Sequence, residues 1–525
     1  MTTEVLESWV AGRWQGGSGD GTVVRDAVTG DEVVRVTSDG LDLAEVARYA
    51  REVGGPALRA LDFGQRAAVL KQVAAMLDER KEELYELSAR AGSTRRDSAV
   101  DVDGGIGTTF VYSSLGRKGL PAGHVIVEGP PEPLGKNGTF AGQHVLTSPH
   151  GLALQINAFN FPVWGMLEKL APALLAGVPT VVKPATPTAY VAARAVRILD
   201  EAGVLPEGAL QLVCGSLGDF FDLLGGQDHV GFTGSAHTAA LLRSHAAVTS
   251  RSARFNAEAD SLNCSVLGPD ATPGTPEFDL FVKELVREMT VKAGQKCTAI
   301  RRALVPAEQL TAVAEAASER LSKVVVGAPG AEGVTMGALV GLEQRDDVRA
   351  AAGVLASAGR LVHGDPHRVD VVGADAEAGA FLAPLLVEVT DADRPEPHEV
   401  EAFGPVSTLL PYRDTPQLLD LIARGEGSLV GSVVSHDAGF VRDVVLGAAP
   451  FHGRLLVLDR DDAGESTGHG IPMPQLMHGG PGRAGGGEEE GGLRAVHAHL
   501  QRTAVQAGPR QLAALFAAED PQAEK

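Results

Sequence analysis

Cys297 is the residue of this sequence best placed to act as a nucleophile. It ends the segment Gly294-Gln-Lys-Cys297, directly after a predicted helix. Its basic neighbours in the chain are Lys292, Lys296, Arg301 and Arg302. Positive neighbours stabilise the thiolate, which is the reactive form of cysteine. A small buried thiol is the alternative, and it suits Cys214 and Cys264, which lie in apolar predicted strands.

Two further side chains have types that could assist such a nucleophile. Asn160 lies within Asn157-Ala-Phe-Asn-Phe-Pro-Val-Trp164, between a predicted strand and a helix, where its amide could donate to a developing oxyanion. A turn or helix cap is the alternative role for this Asn. Glu258 follows an apolar stretch and could act as a general base. A solvated acid at the end of a strand is the alternative, and Asp260 competes for the same role.

Other motif matches are weaker because their context does not fit. Residues 480–485 have the glycine spacing of a dinucleotide loop, but they include Pro481 and do not follow a predicted strand. Residues 464–468 have the spacing of a hydrolase nucleophile elbow, but glycine and prolines follow where a helix is needed. Four late histidines lack zinc-site spacing, so no metal site is predicted. These are His469, His478, His497 and His499.

Composition excludes several classes of protein. The 525 residues are 44% hydrophobic and 22% charged, which is typical of a globular chain of two or three domains. The net charge of −21 makes nucleic acid and anionic membranes poor partners. Three cysteines without paired spacing, no signal peptide and no apolar run of membrane-spanning length predict a cytoplasmic protein.

The elements that must position these residues alternate between strand and helix. An amphipathic helix is predicted over Phe63–Arg90. The apolar runs that read as strands are Leu152–Ile156, Thr180–Val182, Leu210–Cys214 and His229–Phe232. Predicted helices follow them, including Val163–Leu175, Thr188–Glu201 and one beginning at Ala236, and a further helix covers Phe278–Val291. Such alternation predicts an α/β fold with parallel strands and ligands at their carboxyl ends.

A hairpin and the tail are the segments predicted to form an arm. Residues 124–148 contain two extended stretches, His124–Val127 and Thr139–Thr147, joined by a turn rich in Pro and Gly. The tail is predicted to be extended near Leu493–Val505. Exposed strand edges favour pairing with another copy, so a homodimer or a dimer-based oligomer is expected. An ordinary surface hairpin is the alternative.

Five segments in order resemble motifs of the aldehyde dehydrogenase superfamily. They are 157–164, 181–185, 231–235, 294–297 and 401–405. The resemblance implies a Rossmann-like cofactor domain (1–123 and 149–259) and an α/β catalytic domain (260–492, with return segments). It also implies a small β oligomerisation arm and tail (124–148 and 493–525). One departure is that Glu258 is followed by Ala-Asp-Ser-Leu-Asn, where the family usually has Leu-Gly-Gly-Lys.

The resemblance also implies residue roles. Cys297 would form a thioester with the aldehyde, Asn160 would meet the oxyanion and Glu258 would activate water for hydrolysis. A nicotinamide nucleotide would contact Lys183, Ala185, Thr186, Gly234, Ser235, Glu401 and Phe403. NADP is expected to be preferred and NAD possible, because Thr186 stands where many members have an acid that binds the ribose 2′-hydroxyl. Capping of the helix that begins near Thr188 is the alternative role of Thr186.

The segments 258–263, 292–302 and 478–488 are similar to one branch of the family. That branch includes the aldehyde dehydrogenase half of the bifunctional phenylacetate-degradation protein and the semialdehyde dehydrogenase of benzoyl-CoA oxidation. It implies a CoA-linked substrate, 3-oxo-5,6-dehydrosuberyl-CoA semialdehyde, with 3,4-dehydroadipyl-CoA semialdehyde as the alternative. A CoA-acylating dehydrogenase, a reductase of acyl phosphates and a non-catalytic homologue are the remaining alternatives.

Overall fold

Parallel strands connected by helices dominate the computed structural model, which describes residues 4–489 and 491–516. The predicted alternation of strands and helices is confirmed. The strands are β1 Glu7–Val10, β2 Arg13–Gly16, β3 Thr22–Arg25, β4 Glu32–Val36, β5 Ile126–Pro133, β6 Ala141–Thr147, β7 Ala153–Ile156, β8 Thr180–Lys183, β9 Leu210–Leu212, β10 His229–Thr233, β11 Arg254–Glu258, β12 Cys264–Leu267, β13 Arg302–Pro306, β14 Val326–Gly327, β15 Arg360–His363, β16 Val371–Val372, β17 Leu385–Glu388, β18 Val406–Tyr412, β19 Ser428–Val434, β20 His452–Leu458, β21 His478–Gly480, β22 Gly487–Glu489 and β23 Gln501–Ala507.

The helices cover both faces of the sheets. They are α1 Leu43–Tyr49, α2 Gly55–Arg59, α3 Phe63–Glu79, α4 Lys81–Arg90, α5 Arg95–Gly119, α6 Trp164–Leu175, α7 Ala189–Ala202, α8 Ala236–Arg243, α9 Ala246–Thr249, α10 Pro276–Thr290, α11 Leu310–Leu321, α12 Leu342–Ser357, α13 Glu396–Glu399, α14 Thr415–Ala423, α15 Ala438–Ala448, α16 Leu493–His499 and α17 Pro509–Phe516. Among the described residues, no helix is both long enough and apolar enough to cross a membrane.

Two seven-stranded sheets form the framework. The first has the order β11-β10-β7-β8-β9-β1-β2, with β11 to β9 parallel and β1 and β2 antiparallel at one edge. The second has the order β15-β17-β18-β13-β12-β19-β20 and is parallel except for β15. Both sheets have helices on two faces, and therefore their central strands are apolar at nearly every position.

Burial explains why these strands read as continuous apolar runs. In β18, Leu409 and Leu410 are both fully buried but pack into different hydrophobic cores. In β19, Val433 and Val434 divide between the same two cores. Successive side chains of a strand point to opposite faces of the sheet. A sheet covered on both faces therefore needs apolar residues at consecutive positions.

The predicted arm exists as a three-stranded antiparallel sheet of order β23-β6-β5. The prediction that the tail is extended from Leu493 was wrong for its first turns, because α16 occupies Leu493–His499 before β23 begins. Leu493, Val496 and Leu500 recur at helical spacing and pack into one hydrophobic core. Their burial decides the conformation of this segment.

The predicted helix over Phe63–Arg90 is two helices in the structure. Arg80 separates α3 from α4 and has φ −115° and ψ 17°. Its guanidinium pairs with Glu83 on α4 and with Glu201 on α7. The amphipathic periodicity continues through this interruption, and so the sequence pattern did not reveal it.

Candidate functional site

The three predicted catalytic side chains line one narrow cavity between the two large sheets. Asn160 follows the carboxyl end of β7, Glu258 ends β11, and Cys297 lies in the loop before β13. All three contribute to the lining of a cavity of about 40 Å³. The carboxyl ends of the first sheet therefore face the loops at the amino ends of the second, and the site lies between them.

The loop that carries Cys297 has a strained backbone. After α10, the turn Val291–Gly294 places Lys292, Ala293 and Gly294 at φ 53°, 49° and 67°. A non-glycine residue in this left-handed region costs about 1–3 kcal/mol and persists only when surrounding contacts hold it. At Gly294 an added Cβ would lie 2.2 Å from the carbonyl oxygen of Gly404. Glycine is therefore required where this loop touches the segment before β18.

Arg301 holds these two loops together. Its buried guanidinium donates to the carbonyl oxygens of Gly294 at 3.0 Å, Lys296 at 3.1 Å and Gly404 at 2.8 Å. The same group lies 5.5 Å from the ring centre of Phe403. Charge-assisted hydrogen bonds of this kind are about twice as strong as neutral ones. Arg301 thus offsets the cost of the strained turn.

The backbone around Cys297 is fixed from two further sides. The side-chain amide of Asn263, at the start of β12, donates to the carbonyl oxygens of Cys297 and Ala299 at 2.8 and 2.9 Å. The hydroxyl of Thr298 donates to the carbonyl oxygen of Gly470 at 2.8 Å. These bonds hold the backbone in place, and Cys297 and Thr298 both contribute to the lining of the cavity.

The expectation that basic neighbours activate Cys297 is corrected by their positions. Lys296 forms a buried ion pair of 2.6 Å with Glu288, and Arg302 donates to the carbonyl oxygens of Leu262 and Leu421. Burial, followed by the negative charge of Glu258, raises the pKa of Cys297 well above its ordinary value, and Lys296 opposes this only weakly. In the absence of substrate, the site therefore favours the neutral thiol.

Glu258 and His478 form a buried pair beside the thiol. The Nε2 atom of His478 lies 3.4 Å from Oε2 of Glu258. Burial alone would raise the pKa of Glu258, but the charges of His478 and Lys169 and the nearby Cys297 thiol outweigh this effect and lower that pKa to about 2. Burial lowers the pKa of His478, and Glu258 raises it by more. Glu258 is therefore an ionised carboxylate next to the Cys297 thiol.

Sequence reasoning missed His478 because a glycine-rich segment brings it to the site from far along the chain. At Gly485 an added Cβ would lie 1.9 Å from the carbonyl oxygen of Ala257, in β11. At Gly482 it would lie 1.9 Å from the carbonyl oxygen of Glu426. These glycines permit close backbone contact with the neighbouring segments. The glycine run itself was the available signal.

The structure separates the two acids that competed for the role of base. Asp260 accepts a hydrogen bond from the backbone N–H of Ala236 at 2.8 Å, at the start of α8. It contributes to a different cavity, together with Arg424 and Arg483. Of the two acids, Glu258 is therefore the one that faces Cys297.

The predicted nucleotide-binding residues at the end of β8 lie beside a second cavity. Lys183 and Thr186 line a cavity of about 460 Å³ with Ser216, and Ala185 lies between them at the start of the 3₁₀ turn Thr186–Thr188. The cap of α7 is Thr188, and its side chain makes no capping bond. The alternative role of Thr186 as a helix cap is therefore not supported.

Several buried polar side-chain atoms around the catalytic cavity and in the Glu401 segment have no hydrogen-bond partner. They include both side-chain polar atoms of Asn157, the hydroxyl of Thr233 and Oε1 of Glu401, which lies 3.7 Å from Arg301 Nε. Buried polar atoms without hydrogen bonds are costly, and a polar ligand with ribose hydroxyls and a carboxamide would satisfy them. The donor and acceptor set therefore fits a nicotinamide nucleotide.

The remaining predicted nucleotide contacts are Gly234, Ser235, Glu401 and Phe403. Gly234 donates to the carbonyl oxygen of Glu258, and Ser235 caps α8. Burial raises the pKa of Glu401 to about 7, although Arg301 opposes this shift. Phe403 packs edge-to-face against Phe159, with ring centres 5.8 Å apart.

Solved structures with the same fold define the architecture. Betaine aldehyde dehydrogenase from Staphylococcus aureus, solved with NAD⁺, superposes with a TM-score of 0.82 at 21% identity, covering 96% of this chain and 94% of that one. PnpE from Pseudomonas sp. WBC-3 superposes with a TM-score of 0.82 at 22% identity, covering 96% and 97%. The fold expected from the sequence motifs is confirmed.

The sequence comparisons establish the family. The profile of the aldehyde dehydrogenase family matches residues 14–446. The 3,4-dehydroadipyl-CoA semialdehyde dehydrogenase of Aromatoleum evansii is 48% identical over 479 residues, which are 91% of this chain and 93% of that protein. Protein MaoC of Klebsiella aerogenes is 49% identical over 184 residues, 34% of this chain and 52% of that protein. The chain belongs to the aldehyde dehydrogenase family and is an oxidoreductase that uses a nicotinamide cofactor.

The pairing of Glu258 with the thiol leads to a prediction about reactivity. In Glu258→Gln, loss of the carboxylate removes a negative charge and an acceptor, so the pKa of Cys297 should fall. The pH profile of alkylation by iodoacetamide should move to lower pH, even though hydrolytic turnover falls by about 10²–10⁴-fold with the loss of a general base. Asp260→Asn is the matched control and should leave the profile in place. An unchanged profile in Glu258→Gln would mean that the two side chains do not interact.

Proposed function

We propose that the protein oxidises an aldehyde to a carboxylic acid through a thioester on Cys297. The observation that carries this proposal is that Cys297, Asn160 and Glu258 line one cavity between the sheets. The Cys297 thiol passes its proton to Glu258, a carboxylate oxygen of which lies within 4.8 Å of the sulfur, and the resulting thiolate attacks the carbonyl carbon. The Asn160 amide and a backbone N–H near Cys297 stabilise the oxyanion. A bound nicotinamide supplies the hydride acceptor.

Hydrolysis of the thioester is the second half of the proposal. Glu258 first releases to solvent the proton that it took from the thiol. It then removes a proton from water, the hydroxide attacks the acyl carbon, and the Cys297 sulfur leaves as a thiolate that takes this proton from Glu258 to become the thiol again. The buried position of Glu258 beside Cys297 supports this route over transfer to free coenzyme A, which needs no hydrolytic base. His478 would stabilise the carboxylate during each cycle.

The substrate that we propose is a CoA-linked semialdehyde. The relative named as a 3,4-dehydroadipyl-CoA semialdehyde dehydrogenase covers nearly all of this chain, which favours that substrate. 3-Oxo-5,6-dehydrosuberyl-CoA semialdehyde, which would place the enzyme in phenylacetate degradation, is the second candidate. The cavity at Cys297 is about 40 Å³ and mostly apolar, so only the aldehyde end would enter it and the CoA moiety would remain outside. Apolar lining residues are Val100, Phe161, Trp164, Ile471 and Pro472.

Steady-state assays with a panel of aldehydes test this function. We expect the free acid as product without added coenzyme A, and a higher kcat/KM for CoA-linked semialdehydes than for free medium-chain aldehydes. Asn160→Ala should lower kcat by about 10²–10³-fold with little change in the thermal midpoint. Strict dependence on free coenzyme A would favour an acylating enzyme, and equal use of free aldehydes would contradict the substrate.

We further propose that NADP is preferred over NAD. Thr186 and Lys183 line the cavity expected to hold the adenosine ribose, and both could donate to a 2′-phosphate. The same lining includes an exposed acid, Asp39, which would repel that phosphate. The preference therefore depends on Thr186 and Lys183 outweighing Asp39.

Kinetics with both cofactors test the preference. Thr186→Glu should shift the ratio of kcat/KM values toward NAD, because a second acid repels the phosphate. Asp39→Asn should shift the ratio toward NADP. A wild type that is more efficient with NAD would contradict the proposal, and an unchanged ratio in Thr186→Glu would exclude Thr186 as the determinant.

The domain division and the compartment are also proposals. We place the cofactor domain at 1–123 and 149–259, the catalytic domain at 260–492 and the oligomerisation arm and tail at 124–148 and 493–525. The break near residue 259 falls between β11 of the first sheet and β12 of the second. Three free cysteines support a reducing cytoplasm.

The arm supports the proposal of a dimer-based homo-oligomer. Its turn exposes two large apolar side chains, Leu134 at 50% and Phe140 at 44%. Light scattering at micromolar concentration should give at least twice the chain mass of 54.4 kDa. The double variant Leu134→Ser/Phe140→Ser should weaken association, and Val354→Ser, which changes an exposed residue on α12, should not. A monomeric wild type would refute the proposal.

A further inference from the structure

Three side chains of metal-ligating type converge in the catalytic cavity. The sulfur of Cys297, a ring nitrogen of His478 and a carboxylate oxygen of Glu258 all lie within 4.8 Å of one another. Cysteine, histidine and carboxylate are the ligands that zinc uses in proteins. We propose that this cluster binds Zn²⁺ and that the bound ion is a reversible inhibitor of the enzyme. Chain spacing could not reveal this set, because its members come from three distant segments.

The spacing of the two harder ligands already matches a tetrahedral ion. Zinc bonds of about 2.0–2.2 Å to nitrogen and oxygen place those atoms roughly 3.3–3.5 Å apart at the tetrahedral angle. His478 Nε2 and Glu258 Oε2 are 3.4 Å apart, which is longer than an ordinary hydrogen bond between these groups. Rotation of the Cys297 side chain would complete the third corner. The adjoining cavity of about 40 Å³ has room for a water molecule at the fourth.

The charge of the site also favours a divalent cation. Glu258 and a Cys297 thiolate would bring two negative charges into a buried space, whereas Glu168, which lines the same cavity, is already paired with Lys169 at 3.1 Å. A Zn²⁺ ion would displace the thiol proton and any proton that His478 carries beside Glu258, both of which pass to solvent, and its two charges would balance the thiolate and the carboxylate. The mixed sulfur, nitrogen and oxygen set favours Zn²⁺ over Mg²⁺ or Ca²⁺, which prefer oxygen ligands.

Inhibition follows from the identity of the ligands. The proposed ion would occupy both the nucleophile and the general base, so an aldehyde could not be attacked until the ion left. The inhibition rests on the proposed roles of Cys297 and Glu258, whereas the binding of the metal does not. A measurement of metal binding that does not use enzyme turnover therefore tests the metal site separately from the proposed function.

A second cluster offers an internal control. His436, Asp459 and Asp461 also lie within ligand distance of one another, but this group is at the surface and has no sulfur. His436 Nδ1 lies 3.1 Å from Asp459 Oδ2. Zinc bound at this surface cluster would raise the measured metal-to-protein ratio but could not give a spectroscopic signal from a thiolate ligand. His436→Asn removes a ligand of this cluster and leaves the catalytic cavity unchanged.

Cobalt spectroscopy on the chelator-treated, full-length enzyme tests the proposal. Co²⁺ should give a thiolate charge-transfer band in the near ultraviolet, and Zn²⁺ should abolish that band as it displaces the cobalt. His436→Asn should keep the band, and His478→Asn should weaken metal affinity by about tenfold or more. Absence of the band in the wild type, or its full retention in His478→Asn, would overturn the site.

A protection experiment on the wild type does not depend on any variant folding. Zn²⁺ should slow alkylation of Cys297, located by peptide mass spectrometry, and a chelator should restore both the alkylation rate and aldehyde oxidation. Mg²⁺ at the same concentration should do neither. Undiminished alkylation of Cys297 at zinc concentrations that block turnover would place the inhibitory ion elsewhere and refute the proposal.

Discussion

The strained turn before Cys297 is the constraint on which the site depends. Residues 292–294 adopt left-handed conformations in succession, and only external contacts can hold such a backbone. Arg301 supplies several of these contacts and bonds to the segment before β18 at the same time. The nucleophile loop and the Glu401–Phe403 segment are therefore fixed relative to one another through one buried guanidinium. Both loops lie at the amino ends of neighbouring strands, so the second sheet sets their separation.

Opposing electrostatic effects in the cavity define its resting state. Burial disfavours charge on Cys297 and Glu258, but His478 compensates the carboxylate and nothing comparable compensates the thiol. The result is a neutral nucleophile beside an ionised base. Proton transfer between them would generate the thiolate when an aldehyde is present. Because the thiolate is the reactive form of cysteine, a thiol that stays neutral between turnovers is the less reactive state.

Hydrophobic patterns along the chain predicted the alternating strands and helices of the fold. The predicted strands Leu152–Ile156 and Thr180–Val182 end directly before Asn157 and Lys183, and the motif resemblance supplied the roles that the chain pattern alone left open. Chain neighbours were a poor guide to electrostatics, since Lys296 is turned toward Glu288 and Arg302 toward backbone carbonyls. The contribution of His478 could not be predicted, because it depends on glycines that let a distant segment lie against β11.

Trapping the covalent intermediate tests the central claim most directly. In Glu258→Gln, aldehyde and nicotinamide cofactor should leave an acyl group on the enzyme. The thioester should accumulate because its hydrolysis has lost the general base and is slower than its formation. Intact-mass measurement should show the acyl increment, and peptide mapping should locate it on Cys297. Cys297→Ser/Glu258→Gln should show no such increment. An adduct on Cys214 or Cys264, or an unmodified enzyme that still reduces the cofactor, would contradict the mechanism.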